Sequence, residues 1–415
     1  MKFFFPDSQD QIDPDYDFET ETRAKHRIRQ RDDLYAHEVF ETPPFSGVLV
    51  SMTMVDPEAN GRSRYTMSQR HRFQRVGVRR FFRLHESEYE HVETMGDCGA
   101  FSYKDEDEPP YSARDVAEFY DRCGFDYGVS VDHIILSYQK QNELPSIDAE
   151  VEEWRSRQEV TLDLADEFLK LHREEDYSFT PVGIAQGWSP ESYATAVQEL
   201  QEMGYDFIGI GGMVPMRTNQ ILQTLDEIDE VRSPATKLHL FGISRFEHAN
   251  EFADFGVASL DSTAPLKQAF KSKRDNYHTP SGHFMAIRIP QVDANNKLRR
   301  RVKAGEVDQE EARTLEQAAL KALRAFDEGN ASLEAVLESI ENYYGLIGRD
   351  TSVLSSYSEL MEERPWKRCD CEICRELGVE VVIFRGAERN KRRGFHNLYV
   401  FYNELCAETE GYTGN

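Results

Sequence analysis

The sequence predicts an α/β fold, a (β/α)8 TIM barrel carrying a C-terminal helical and zinc-binding appendage. Two observations lead there. Eight short apolar runs, each ending in a polar residue or glycine, recur as far as Ser262, and most of the later ones alternate with helical patterns. Beyond Ser262 that rhythm stops, and Cys369, Cys371 and Cys374 crowd into six residues. A doubly wound open sheet is the alternative for the first part.

In chain order the apolar runs are "KFFFPDS" from Lys2, "GVLVSMTMV" from Gly47, "VETMGDCGAF" from Val92 and "DYGVSVDH" from Asp126. They continue with "TPVGIAQG" from Thr180, "DFIGIGG" from Asp206, "KLHLFGIS" from Lys237 and "FGVASLDS" from Phe255. The intervening helices have proper ends: Ser112 caps "ARDVAEFYDRC", and Ser189-Pro190 opens "ESYATAVQELQEMG" with Gly204 as its stop. Further on, "DQEEARTLEQAALKALRAFDEG" and "SLEAVLESIENYYG" read as amphipathic helices that stop at Gly329 and Gly345. The expected domains are therefore a catalytic barrel over 1–290, a helical segment over 291–355 and a zinc-binding subdomain over 356–415.

No charged-then-apolar leader and no apolar run long enough for a bilayer occurs, so a soluble, cytoplasmic chain with reduced thiols is expected. Against 75 acidic residues stand 49 basic ones, a formal net charge of -26. Such a balance disfavours a nucleic-acid partner unless the bases are gathered locally. They are. "RSRYTMSQRHRFQRVGVRRFFR", Arg62 to Arg83, holds eight arginines and no acid, with Arg72, Arg75, Arg79 and Arg80 as candidate phosphate contacts. "KLRRRVK", from Lys297, is a second patch, and Arg385 to Arg393 is a third that includes Arg389, Lys391, Arg392 and Arg393. Phe73, Phe81 and Phe82 in the first patch are either core or a surface on which a base could stack.

In a barrel the loops that follow the strands converge at one mouth, which gathers Asp97, Asp132, Gln186, Gly211, Gly212 and Asp261. A lone aspartate after a strand is usually a helix cap or turn former. Three aspartates and a glutamine on separate strand ends form a set that caps do not explain. Cys369, Cys371 and Cys374 with the distant His396 make CxCxxC plus histidine, four ligands suited to a closed tetrahedral zinc site with a structural role. A redox CxxC would leave the third cysteine and the histidine without a purpose.

"GDCGAF", "VSVDH", "GIAQG", "GIGGM", "SLDSTAP" and "CDCEIC" followed by "FHN" resemble, in this order, the motif set of the tRNA-guanine transglycosylase superfamily. Within it the chain is most similar to the DNA-acting branch, the transglycosylases that insert 7-deazaguanine into DNA. The resemblance implies a pentosyltransferase that exchanges guanine through a covalent glycosyl-enzyme, with Asp261 as nucleophile and Asp97 as general acid/base. Asp132, Gln186, Gly211 and Gly212 would read the guanine edge, and Met213 would contact the substituent at position 7, pointing to 7-cyano-7-deazaguanine as the incoming base. Cys98-Gly99-Ala100 replaces the usual serine and two glycines, and Lys267 stands where tRNA enzymes carry an arginine. These departures favour DNA, with helper DNA-modification proteins as further partners. The alternatives are a tRNA-guanine transglycosylase and a non-catalytic, zinc-bearing nucleic-acid-binding subunit.

Overall fold

A computed structural model describes residues 1–56, 64–139 and 148–410; Arg62 of the first basic run lies outside them. The chain divides into two compact units, each drawn from both ends of the sequence. The first comprises Met1–Ser8, Phe45–Thr263 and the residues from Leu405; the second comprises Gln9–Pro44 and Ala264–Glu404.

All eight apolar runs become parallel strands. They are β1 (Lys2–Pro6), β2 (Gly47–Ser51), β3 (Glu93–Asp97), β4 (Tyr127–Val129), β5 (Thr180–Ala185), β6 (Phe207–Ile210), β7 (Lys237–Leu240) and β8 (Val257–Asp261). Each pairs with the next, and β1 closes on β8 through Phe3 opposite Leu260. This is a (β/α)8 barrel. Strands covered by helices outside and by side chains inside are buried on both faces, which is why they read as unbroken apolar runs. Helices follow where the caps predicted them: Ala113–Cys123 opens on the Ser112 side chain, and Pro190–Met203 opens on Ser189 and closes at Gly204 in the left-handed conformation.

Side chains alternate along a strand, so every second residue enters the barrel. The middle of the barrel is apolar, with Phe4, Leu49, Met95, Val129, Val182, Ile184 and Phe207 packed together. Two residues toward the carboxyl ends, the same parity delivers Ser51 after Leu49, Asp97 after Met95 and Gln186 after Ile184. A polar layer therefore caps the apolar one at the mouth. Between β7 and β8 the register shifts by one residue, with Leu238 opposite Val257 but His239 opposite Ser259. The extra residue, Ala258, brings Ser259 level with His239.

The second unit corrects the expected boundaries. It begins at Ala264, where the barrel has ended, rather than at 291, and the helical and cysteine-bearing segments belong to one body with residues 9–44. Side-chain bonds show why. Asp327, at the end of helix Gln309–Asp327, accepts from the Trp366 indole at 2.8 Å and from the backbone of Val379 at 3.0 Å. Glu21 accepts from Arg385 at 2.5 and 2.6 Å and from Arg389 at 2.5 Å; burial raises its pKa, but the bonds from Arg385 and Gln291 and the charges of the two guanidiniums outweigh it and bring the carboxyl down to about 2. Helix Leu333–Ile347 also runs through Gly345, and Gly348, at φ 59°, is the stop instead.

Candidate active site

The mouth of the barrel holds a cavity of about 210 Å³ lined by Asp97, Asp132, Gln186, Gly211, Gly212 and Asp261 together with Ser51, Phe101, Val214 and Phe241. Six of the strand-end residues that the sequence singled out thus share one cavity. Asp261, the last residue of β8, is 6% exposed. Its Oδ1 accepts from the Gly242 backbone at 2.9 Å and lies 3.3 Å from His239 Nε2, while His239 Nδ1 lies 2.8 Å from Ser259 Oγ. One carboxylate oxygen is thereby held, and the carboxylate lines the cavity.

Asp97, the last residue of β3, is held from two sides. Ser51 donates to Oδ2 at 2.6 Å and the Gly99 backbone donates to Oδ1 at 3.2 Å. Burial raises its pKa, the two hydrogen bonds oppose that rise, and the negative charge of Asp261 adds to it. Gly99 has φ 88°, and a Cβ there would meet Thr53 Oγ1 at 2.1 Å. Only glycine lets the backbone bend over the carboxylate in this way.

Asp132 lies just beyond β4 and is almost enclosed. Gln186 donates to Oδ2 at 2.6 Å and the Cys98 thiol donates to Oδ1 at 3.1 Å, while Tyr103 donates to Cys98 Sγ at 3.1 Å. Cysteine beside the acid/base candidate therefore serves as a thiol donor to the neighbouring carboxylate. Burial, the largest influence, pushes Asp132 up to about 7, with Asp97 adding to the rise and the Cys98 and Gln186 bonds opposing it. In the unfolded chain the same carboxyl loses its proton near 3.8. The folded state alone keeps the proton between these values, so the contribution to stability is full below about pH 4 and is lost as pH rises toward 7. Urea unfolding at pH 5 and pH 8 should show wild type losing stability by up to about 3 kcal/mol at the higher pH. Asp132→Asn should flatten that loss, and an equal loss in the variant would remove Asp132 as its source.

Gln186 is fixed on the far side by two glycines. A Cβ on Gly211 would fall 2.1 Å from Gln186 Nε2, and one on Gly212, where φ is 74°, would fall 2.3 Å from the Ile135 carbonyl. Met213 does not join the cavity. It is completely buried, and the half-exposed Val214 lines the cavity in its place, which overturns the expectation that Met213 meets the base.

The basic candidates separate. On helix Met67–Phe81, Arg75 and Arg80 are exposed, Arg72 is half-buried with its guanidinium 5.3 Å from the Phe81 ring centre, and Arg79 donates to the carbonyls of Val92, Leu84 and Tyr89. Phe73, Phe81 and Phe82 are core, packed on one another at 5.0 to 6.3 Å. Lys267 lies half-buried on helix Ala264–Lys271. Arg389, Arg392 and Arg393 overturn the expected basic surface, because none is more than 2% exposed. Arg389 bonds Glu21 and Glu380, Arg392 bonds Glu388, and Arg393 is spent on the carbonyls of Ala269, Val381 and Ile383. Buried guanidiniums survive by such pairing, and they are out of reach of any phosphate.

In the second unit Cys369, Cys371, Cys374 and His396 place four ligand atoms within 4.8 Å of one another, a cluster able to hold a metal ion. His396 Nδ1 faces the three sulfurs at 3.3 to 3.6 Å, and Nε2 lies 2.8 Å from the His278 carbonyl. That carbonyl requires the proton on Nε2, so the Nδ1 lone pair is left for a metal. Tyr277 stacks on the imidazole at 4.2 Å and its hydroxyl approaches Cys374 Sγ at 3.3 Å.

A closed (β/α)8 barrel with carboxylates converging at the carboxyl ends of its strands defines the class, a barrel enzyme whose site is the mouth, and a Cys3His cluster able to hold a metal accompanies it. No family model matches the chain. It is 49% identical over 410 residues to the DNA-guanine transglycosylase of Salmonella montevideo, an alignment spanning 98% of this chain and 96% of that protein. The chain belongs to the DNA-guanine transglycosylase family, the DNA-acting branch of the tRNA-guanine transglycosylase superfamily.

Proposed function

We propose that this enzyme exchanges guanine in DNA for a 7-deazaguanine base through a covalent aspartyl-glycosyl intermediate. The observation that carries the reading is that Asp97 and Asp261 open onto the same cavity as the Asp132–Gln186 pair, in a chain closely similar to a DNA-guanine transglycosylase. Asp261, held on Oδ1 by Gly242 and beside His239, presents Oδ2 to the anomeric carbon; the C1′–O bond forms as the C1′–N9 bond to guanine breaks. Asp97, whose raised pKa lets it hold a proton, gives that proton to the departing base. It then takes one from N9 of the incoming base, which attacks C1′ and releases Asp261. Two inversions retain the configuration.

Asp132 can accept from the ring N–H and exocyclic amine of guanine together, a pair of donors that adenine does not present. Gln186 and the backbone beside Gly212 line the rest of the edge. Phe101, 62% exposed at the rim, and Phe241 offer aromatic faces on which a base can stack. A base drawn from duplex DNA loses stacking worth a few kcal/mol, which such faces partly restore. Val214 is the apolar neighbour available to a substituent at position 7, and it suits a compact nitrile better than an ammonium, so 7-cyano-7-deazaguanine is the base assigned. Cys369, Cys371, Cys374 and His396 would hold a zinc ion; with all four positions of a tetrahedron taken by protein, it supplies a structural crosslink.

The test is nucleoside mass spectrometry on DNA and tRNA from cells that express the protein with a 7-deazaguanine supply and its helper proteins. Deazaguanine recovered as a deoxynucleoside is the expected result. Recovery only as a ribonucleoside in tRNA would overturn the assignment.

A further inference from the structure

Two guanidinium groups of the second unit have no ion-pair partner among the described residues. Arg288 lies half-buried with its guanidinium 3.8 Å from the centre of the Phe384 ring, and Arg349 lies 5.1 Å over Tyr344. Among the described residues neither has an acidic side chain within ion-pair distance. Both line one cavity of about 230 Å³, together with Arg385, Gln291 and Asn295. Arg385 is already matched by Glu21 and Glu316 at 2.5 and 2.6 Å, so it does not relieve them. Burial and the nearby charge of Arg349 both weaken the hold of Arg288 on its proton.

In a chain with 75 acids against 49 bases, two unmatched arginines at one cavity run against the composition. Like charges held together on aromatic faces are costly unless an anion joins them, and paired guanidiniums suit the oxygens of a phosphate. The surroundings say what kind of phosphate. Asn295, on the cavity wall, caps helix Asn296–Lys303 through the backbone of Lys297 and Leu298. From there the helix exposes Lys297, Arg299, Arg300 and Lys303 with no acid in its first turn. A row of cations leading from the cavity suits a polyanion, where an isolated ion would need only the cavity itself.

We propose that the Arg288–Arg349 cavity is a phosphate site that grips one backbone phosphate of the DNA substrate, with the basic helix Asn296–Lys303 following the strand beyond it. The proposal rests on the DNA assignment made above. It is tested with the full-length protein by fluorescence anisotropy on guanine-containing duplex DNA over a series of salt concentrations, for wild type, Arg349→Gln and Arg288→Gln/Arg349→Gln. Loss of one phosphate contact should lower the slope of log affinity against log salt by about 0.9, with affinity weaker by roughly tenfold at low salt. Arg288→Lys, which keeps the charge and loses the fork, is measured beside them to guard against loss of fold; melting temperatures verify each variant. A second arm measures the melting-temperature rise that inorganic phosphate gives each protein. Variants that keep wild-type affinity and slope, while wild type exchanges guanine in DNA, overturn the site and leave the substrate assignment standing. Wild type that neither binds nor modifies DNA overturns the substrate assignment and the backbone role; a phosphate-induced rise lost in the variants then identifies a free-phosphate site instead.

Discussion

Asp261→Asn is expected to abolish base exchange, by roughly 10⁴-fold or more, while DNA affinity stays at the wild-type level. The substitution keeps size and the contact with the Gly242 backbone but replaces the anionic oxygen that faces the cavity. An amide does not attack the anomeric carbon, so no other residue of the mouth rescues the first displacement. The positive counterpart is an adduct: wild type incubated with DNA and no incoming base should carry a sugar-linked mass on the peptide containing Asp261. Finding the mass on Asp97 would exchange the two roles, and finding exchange undiminished in Asp261→Asn would end the covalent mechanism.

Cys371→Ala is expected to cost the protein its metal and, with it, the folded second unit. Structural zinc sites of this donor type bind with about 10–16 kcal/mol near neutral pH, more than the net stability of most domains. Here the cluster joins helix Glu372–Leu377, the strand Tyr277–Thr279 that carries the stacked Tyr277, and helix Gly386–Glu410 that carries His396. Elemental analysis should find about one zinc per chain in wild type and none in the variant, with a melting transition lowered or lost. Full zinc content in Cys371→Ala would remove this residue from the ligand set.

The barrel was legible because both faces of its strands are buried: eight apolar runs could be counted without knowing what covered them. Ser112, Ser189 and Gly204 were legible for a local reason, since caps act within one turn of the helix they close. What escaped depends on distant partners. Arg389 and Arg393 look like surface in any window of the sequence, and only the pairing of Arg389 with Glu21, 368 residues away, shows otherwise. Ser51, His239 and Phe241 escaped for a different reason. Ser51 and Phe241 follow the inward parity, two residues from Leu49 and from His239, and line the cavity, while His239 meets Asp261 beside it; a parity count would have found them. Met213 shows the converse, for a neighbour's position in a motif does not fix which side chain reaches the ligand.

The carboxylate of Glu21 has one more implication, which concerns synthesis on the ribosome. Its partner Arg385 lies 364 residues downstream, so at a translation rate of about 5–20 residues per second the acid emerges some 20 to 70 seconds before the guanidinium that neutralises it. Throughout that interval residues 9–44 have no finished body to join, while strand β1 just ahead of them and β2 just behind are free to pair. The nascent barrel must therefore begin to assemble with a hydrated acidic loop between its first two strands. An N-terminal fusion or truncation that disturbs residues 9–44 should leave the early strands intact and fail only when the last hundred residues arrive.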